Sequence, residues 1–282
     1  MRILKYLIGG WLLWGLMSCH LNDVTPSTID EEITDYQGDF NQPYGSDPSQ
    51  RYDIYYPYST NQQPSEVLIL LHGGAWGAGD KSFLLPTVRA LMAQKKNLTI
   101  VNANYRLTSS KGIRLEQQLN DIKLLINHLH QKATNFNITT GAFAIGGVSA
   151  GGHLALEYAY ARDTTRQIKG VVGIVAPTDL SSEPLRQTGL DLSIQQLLGT
   201  TFEQNPDAYY QASPFYTAKS TAPTTLLFYG GKDAVVPREQ GELLKFKLTT
   251  MGVKHRYYFY PDETHDFTAE LLADKIIALF AM

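Results

Sequence analysis

Cysteine is nearly absent from this chain. Its 282 residues contain one, Cys19, so no internal disulfide can staple the fold. No surplus of positive charge is present either. The formal net charge is −3, which argues against nucleic acid as a partner. Lys and Arg are missing altogether from His20 to Gln50, a stretch that carries seven acidic residues. The uncharged apolar run Tyr6 to Met17 is 12 residues long. A helix needs about 20 to cross a bilayer, so this run is too short. No internal repeat and no inner linker divide the rest, which points to one domain of ordinary α/β size. Nothing in the sequence sets the oligomeric state.

The short apolar run has another reading. Arg2 and Lys5 precede it, and Leu16-Met17-Ser18-Cys19 closes it, with a small residue just before the cysteine. A basic start, a short apolar core and a small-residue cleavage site describe an export signal. The close of the run resembles a bacterial lipobox. This resemblance implies cleavage before Cys19 and lipid attachment to its thiol. The expectation is a signal peptide over 1–18, a flexible acidic tether over 19–35 and a folded domain over 36–282. The protein would be exported and held on a bacterial membrane through Cys19. Losing Arg2 and Lys5 moves the formal charge to −5.

Within the domain, strands alternate with helices. Arg51 to Tyr56 alternates as a half-buried strand does. Val67 to Leu71, Thr99 to Ala103, Ile168 to Val175, Thr224 to Tyr229 and His255 to Tyr260 read as strands, the first as a continuous apolar run buried on both faces. Helical patterns fall at Phe83 to Gln94, Leu115 to Leu129, Leu154 to Ala161, Glu239 to Met251 and Ala269 to Phe280. Such alternation predicts a mostly parallel central sheet with helices on both faces. One polar, proline-punctuated segment, Asp179 to Tyr216, interrupts it. A long excursion in a compact domain is often a lid or binding loop, so this small insertion is expected to shape a pocket.

Ala142 to Gly147 leads as a strand into Gly147-Val148-Ser149-Ala150-Gly151, and a helix leaves it. This is G-x-S-x-G at a strand-to-helix turn. A serine hydroxyl is a weak nucleophile and must stand clear of the sheet beside a base. The sharp turn that achieves this needs tiny neighbours. An acyl-transfer site needs a base, an orienting acid and oxyanion donors besides. Of seven histidines, His265 sits in a polar loop after the last strand, where open parallel sheets carry their ligand chemistry. His153 lies in the first turn after Ser149, too near in sequence to reach over it. The acid candidate is Asp233, straight after a strand in Gly230 to Pro237. Its rivals are Asp262, Glu263 and Asp266, the last of which is expected to cap the closing helix. The order Ser149, Asp233, His265 is one in which hydrolase triads occur. Leu71-His72-Gly73-Gly74-Ala75-Trp76 ends a buried strand, so Gly73 or Gly74 would supply N–H donors beside that of Ala150. Asn104 to Arg106 and Asp121 are assigned to a buried ion pair.

Five of these pieces occur together in one family. HGGAW (His72 to Trp76), NYRL (Asn104 to Leu107), GVSAGGHLA (Gly147 to Ala155), GGKDAVVP (Gly230 to Pro237) and THDF (Thr264 to Phe267) resemble the α/β-hydrolase superfamily, in its short esterase/lipase group with an HGG oxyanion motif. The resemblance implies an α/β-hydrolase fold and a carboxylesterase-type triad, with no metal or cofactor. Ala75 stands where many members have a third glycine, as in acetylxylan or feruloyl esterase-like members.

The expected function is hydrolysis of short acyl or aryl esters, small or borne on glycans, through an acyl-enzyme. An amidase or peptidase of the formamidase or prolyl-peptidase kind is the rival enzyme. A non-catalytic module on the same fold is the rival outside catalysis. The anchor is testable by itself. Cys19→Ala should release the protein from the membrane fraction, and retention at unchanged level would assign the hold to the apolar segment instead.

Overall fold

The computed structural model describes residues 33–59 and 63–282. The signal, Cys19 and the tether as far as residue 32 lie outside the described residues. Eight strands form one sheet: β1 (Ile33–Pro43), β2 (Arg51–Ser59), β3 (Ser65–Leu71), β4 (Leu98–Ala103), β5 (Ile138–Val148), β6 (Ile168–Ile174), β7 (Thr224–Gly230) and β8 (His255–Tyr260). Their order is β1-β2-β4-β3-β5-β6-β7-β8. β1 and β2 pair antiparallel, as do β2 and β4. All pairs from β4 to β8 are parallel.

Alternating side chains of β3 divide the core. Val67, Ile69 and Leu71 join one cluster with α2 (Leu115–Gln131), and Leu68 and Leu70 join the other with α1 (Leu85–Met92). This is the period-two geometry of a strand covered on both faces. On α2 the stripe Leu115, Leu119, Ile122, Leu125, Ile126 and Leu129 is buried, as its helical spacing requires. A short α3 (Ala133–Phe136) leads into β5, and α4 (Ala150–Glu157) leaves it. The insertion between β6 and β7 folds as α5 (Glu183–Leu185), α6 (Asp191–Leu198), α7 (Pro206–Gln211) and α8 (Pro214–Thr217). α9 (Glu239–Thr250) joins the α2 side, and α10 (Glu270–Ile277) joins α1.

Two local readings change, and one holds. β1 begins at Ile33, so the sheet takes in residues counted with the tether. Its sequence, ITDYQGDFNQP, has no apolar run, because this edge strand is held by backbone pairing with β2. The helix after Ser149 starts at Ala150, not Leu154, and Tyr158–Arg162 widens into a π turn. The expected ion pair forms. Asp121 is fully buried, takes both Nε and Nη2 of Arg106, and accepts from Gln50 Nε2 at 2.7 Å.

Glu157 is a buried acid of a different kind. It has no exposed surface, one oxygen accepts from Thr217 Oγ1 at 2.8 Å, and the other has no partner among the described residues. Burial pushes its carboxyl up to about 8, against the smaller opposing effect of the Thr217 bond. A raised acid pKa means that the folded chain holds a proton the unfolded chain has lost. The stability tied to that proton is complete below about pH 4.5 and is lost as pH rises through about 8. Glu157→Gln should abolish this decline. The melting temperature of the variant relative to the parent should therefore be higher at pH 8 than at pH 5, and an equal difference at both would show Glu157 charged throughout.

Candidate active site

β5 delivers the serine. Ser149 has φ 55° and ψ −121°, a conformation that L residues rarely adopt. Its N–H donates to Ile174 O at 2.8 Å and its carbonyl accepts from His153 N at 2.9 Å, so both flanks of the strained residue are tied down. Two glycines make the turn possible. A Cβ on Gly147 would lie 2.5 Å from Leu71 O, and one on Gly151 would lie 2.2 Å from the same oxygen. Strand, helix and the end of β3 therefore meet backbone to backbone.

That contact brings the HGG segment to the serine. A Cβ on Gly73 would stand 3.3 Å from Ser149 Cβ. Gly74 adopts φ +118°, and its carbonyl accepts from Gly77 N and Ala78 N. Among the described residues, the N–H groups of Gly73 and Gly74 have no internal acceptor. Ala150 N–H opens α4, where the first amides of a helix lack intrahelical partners. The three donors expected from the sequence thus lie around Ser149. Behind them, His72 stacks on Tyr105 with centroids 4.5 Å apart and pairs its Nδ1 with Gly73 O at 2.6 Å. Tyr105 Oη donates to His72 O at 2.8 Å. At the loop's far end burial works to raise the Asp80 pKa, but bonds from Asn104 and Ser82 outweigh it and bring the group down to about 2.

The imidazole and its acid come from two neighbouring loops. His265 Nδ1 and Asp233 Oδ2 are 2.9 Å apart. Asp233 has no exposed side-chain surface, and its Oδ1 accepts from Val235 N and Val236 N at 2.8 and 2.9 Å. With Nδ1–H donating to the carboxylate, a neutral His265 keeps Nε2 free as an acceptor. The rival acids are otherwise engaged. Asp262 is exposed and pairs with Lys232, and Glu263 accepts from Thr268 N. Asp266 does not cap the closing helix. α10 begins after Ala269, and the turn ahead of it is held by Glu263.

Ser149, His265, Gly73 and Gly74 line one cleft of about 390 Å³. Among the described residues no hydrogen bond joins Ser149 Oγ to His265, which is the looser geometry common without substrate. The apolar wall of the cleft is Phe83, Leu84 and Pro86 on one side and Phe267 and Leu272 on the other. Sequence reasoning did not find Phe83 or Pro86. The signal available was an aromatic residue at the start of a helix just beyond the HGG loop. The insertion, expected to shape the pocket, contributes no lining residue to this cleft. It packs against α4 and α9 instead, through Ala212 O on His153 and through Thr178 and Asp179 N on Gln240. His153 is buried, accepts from Trp76 Nε1 at 3.1 Å and pairs its Nε2 with Ala212 O at 2.8 Å. Burial depresses its pKa to about 4, so it is a neutral packing group.

The profile of the BD-FAE family matches residues 52–248, well over half of the chain. Esterase LipC of Mycobacterium tuberculosis is 29% identical over 238 residues, an alignment covering 79% of this chain and 58% of that protein. Esterase LipQ of the same organism is 24% identical, over 71% of this chain and 50% of its own length. The chain thus spans little more than half the length of these relatives. Among solved structures, a truncated carbohydrate esterase from gut microbiota superposes with a TM-score of 0.73 at 20% identity, over 89% of this chain and 99% of that one. Esterase B from Lactobacillus rhamnosis superposes with a TM-score of 0.72 at 17% identity, over 88% and 86%. The sheet order, the strained serine and the family match agree: the chain belongs to the BD-FAE family and has the α/β-hydrolase fold.

Proposed function

We propose that this protein is a serine esterase in which Ser149, His265 and Asp233 form the triad, and that it is exported and lipid-anchored through Cys19. The observation that carries the reading is the Asp233–His265 pair at 2.9 Å, whose imidazole lines the same cleft as the strained Ser149. Ser149 Oγ attacks the ester carbonyl carbon while its proton passes to His265 Nε2. The carbonyl π pair moves to oxygen, where N–H groups of Gly73, Gly74 and Ala150 receive the charge. Asp233, buried and bonded to Nδ1, holds the ring and stabilises the imidazolium. As the tetrahedral centre collapses, the C–O bond to the alcohol breaks and the leaving oxygen takes the proton from Nε2. Water then repeats the sequence on the acyl-enzyme and frees the acid.

The proposed substrates are short acyl or aryl esters, including esters carried on glycans. Support comes from the apolar walls Phe83, Pro86, Phe267 and Leu272, and from the esterase and carbohydrate-esterase names of its relatives. An open cleft suits an ester that projects from a larger molecule.

Ser149→Ala should lower ester turnover by about 10⁶-fold and abolish labelling by a fluorophosphonate. Asp233→Asn should cost on the order of 10⁴-fold by favouring the wrong imidazole tautomer. The double variant should cost little beyond Ser149→Ala, because the groups act as a unit. Undiminished hydrolysis by folded Ser149→Ala would remove the reading.

The walls make a separate prediction. Phe83 is 68% exposed, so its loss should leave stability within about 0.5 kcal/mol. Phe83→Ala should raise KM several-fold for p-nitrophenyl butyrate and feruloylated oligosaccharides, and less for p-nitrophenyl acetate. A uniform change in kcat across the three would place Phe83 outside substrate contact.

A further inference from the structure

The two edges of the sheet differ in charge. At the edge where β3 to β8 end, the loops carry the site and hold both signs: Asp80, Asp233, Asp262 and Glu263 beside Arg106 and Lys232. At the opposite edge, five loops enter β4, β5, β6, β7 and β8. They contribute Lys95 and Lys96, then Lys132, Arg166, Lys219 and Lys254, against one acid, Asp163. Asp163 spends its carboxylate on the N–H groups of Gln167 and Ile168. Lys169, at the start of β6, adds another exposed cation, while Glu66 at the start of β3 and Asp35 on β1 add two exposed acids, so cations outnumber acids at this edge seven to three. Lys95, Lys96, Lys132, Arg166, Lys169 and Lys219 are all exposed, and among the described residues none of their charged heads meets a carboxylate. Arg166, Lys169 and Lys219 line a cleft of about 520 Å³, together with Asp163. In a chain of net charge −3, this is a segregated surface.

Three features point to its partner. The cations spread across six strands, about 24 Å at the usual strand spacing, which fits an extended plane better than one small ligand. The chain enters the sheet at this edge. β1 runs in the direction of β4, and Tyr36 Oη donates to Lys96 O at 2.8 Å. The first described residues therefore lie on the basic side of the sheet. Tyr58, 57% exposed, ends β2 at the same edge, and amphipathic aromatics of this kind settle at membrane interfaces. Among the described residues no helix is long and apolar enough to cross a membrane, so contact would be at the surface.

We infer that the basic edge of the sheet docks on an anionic phospholipid surface and turns the Ser149 cleft away from the membrane. In the cell this orientation rests on the lipid anchor proposed above. The docking itself does not, and it can be read on vesicles without any catalytic assay. Each cation near an anionic leaflet contributes about a fivefold gain in partition, roughly 1 kcal/mol.

The experiment takes full-length protein carrying Cys19→Ala, so that no acyl chain contributes, and measures co-sedimentation with phosphatidylcholine vesicles and with vesicles containing phosphatidylglycerol. Binding should be stronger on the anionic vesicles, and the excess should vanish in 1 M salt. Adding Arg166→Gln, Lys169→Gln and Lys219→Gln should cut the anionic excess about 100-fold, with p-nitrophenyl acetate hydrolysis and melting temperature unchanged. Arg2 and Lys5 before the N-terminal apolar segment also favour the anionic vesicles, but their contribution is the same in the triple variant and its Cys19→Ala parent, so the change in excess between those two reads the sheet edge alone. Equal binding to the two vesicles, or an unchanged excess in the triple variant, overturns the proposal. Retention by a soluble polyuronate without an excess on the anionic vesicles also overturns it and assigns the surface to an acidic glycan. Failure of the esterase reading would appear in the Ser149 variants and leave this result standing.

Discussion

Everything at the site depends on three backbones meeting without side chains between them. The end of β3, the end of β5 and the first turn of α4 approach so closely that a methyl group on Gly147 or Gly151 would strike Leu71 O. This contact fixes how far the Gly73 and Gly74 amides stand from Ser149. It also forces Ser149 into its φ of 55°, a strain of about 1–3 kcal/mol. The strain persists because α4 is buried along its whole length. Leu154 and Leu156 alone, fully buried, each contribute about 1.5–3 kcal/mol. The helix that carries the serine is thus held by packing that has no part in the chemistry.

The insertion belongs to that packing. His153 and Glu157 lie four residues apart, on one face of α4. His153 reaches Trp76 of the HGG loop on one side and Ala212 of the insertion on the other. Glu157 meets Thr217 of α8. The segment that breaks the β-α alternation therefore clamps the helix after Ser149 from behind and leaves the cleft to other elements. Both contacts use buried titratable groups in neutral form. Acid works against His153, whose contribution is complete above about pH 6.5 and is lost as pH falls through about 4. Alkali works against Glu157. The clamp is most secure between these limits.

The sequence disclosed the parallel sheet because strands buried on both faces carry continuous apolar runs, as Val67 to Leu71 of β3 does. It disclosed Ser149 because the turn tolerates only small neighbours. β1 stayed hidden for the converse reason. An edge strand with polar faces is specified by its partner's backbone, and a backbone leaves no pattern in side chains. Four acids competed for His265 because three share its own loop, while Asp233 reaches it only in space. The Gly230 and Gly231 turn lies against the backbone of Glu263 and Pro261, and that contact selects among them. The cleft walls were hidden likewise, since Phe83 and Phe267 come from opposite ends of the domain.

The choice of Asp233 follows from how a buried carboxylate must be satisfied. Its side chain has no exposed surface, so water cannot solvate the charge. Two amides fill Oδ1, and the imidazole fills Oδ2. An exposed acid such as Asp262 could touch the ring as well, but water would screen its field and its side chain would wander. Asp233 is fixed by its own loop, Val235 N and Val236 N locking the rotamer before His265 arrives. The imidazole then has one low-energy orientation, with Nδ1 on the carboxylate and Nε2 turned outward. The amides that hold Asp233 therefore also aim the imidazole, and a change that freed Oδ1 would disorder His265 without touching it.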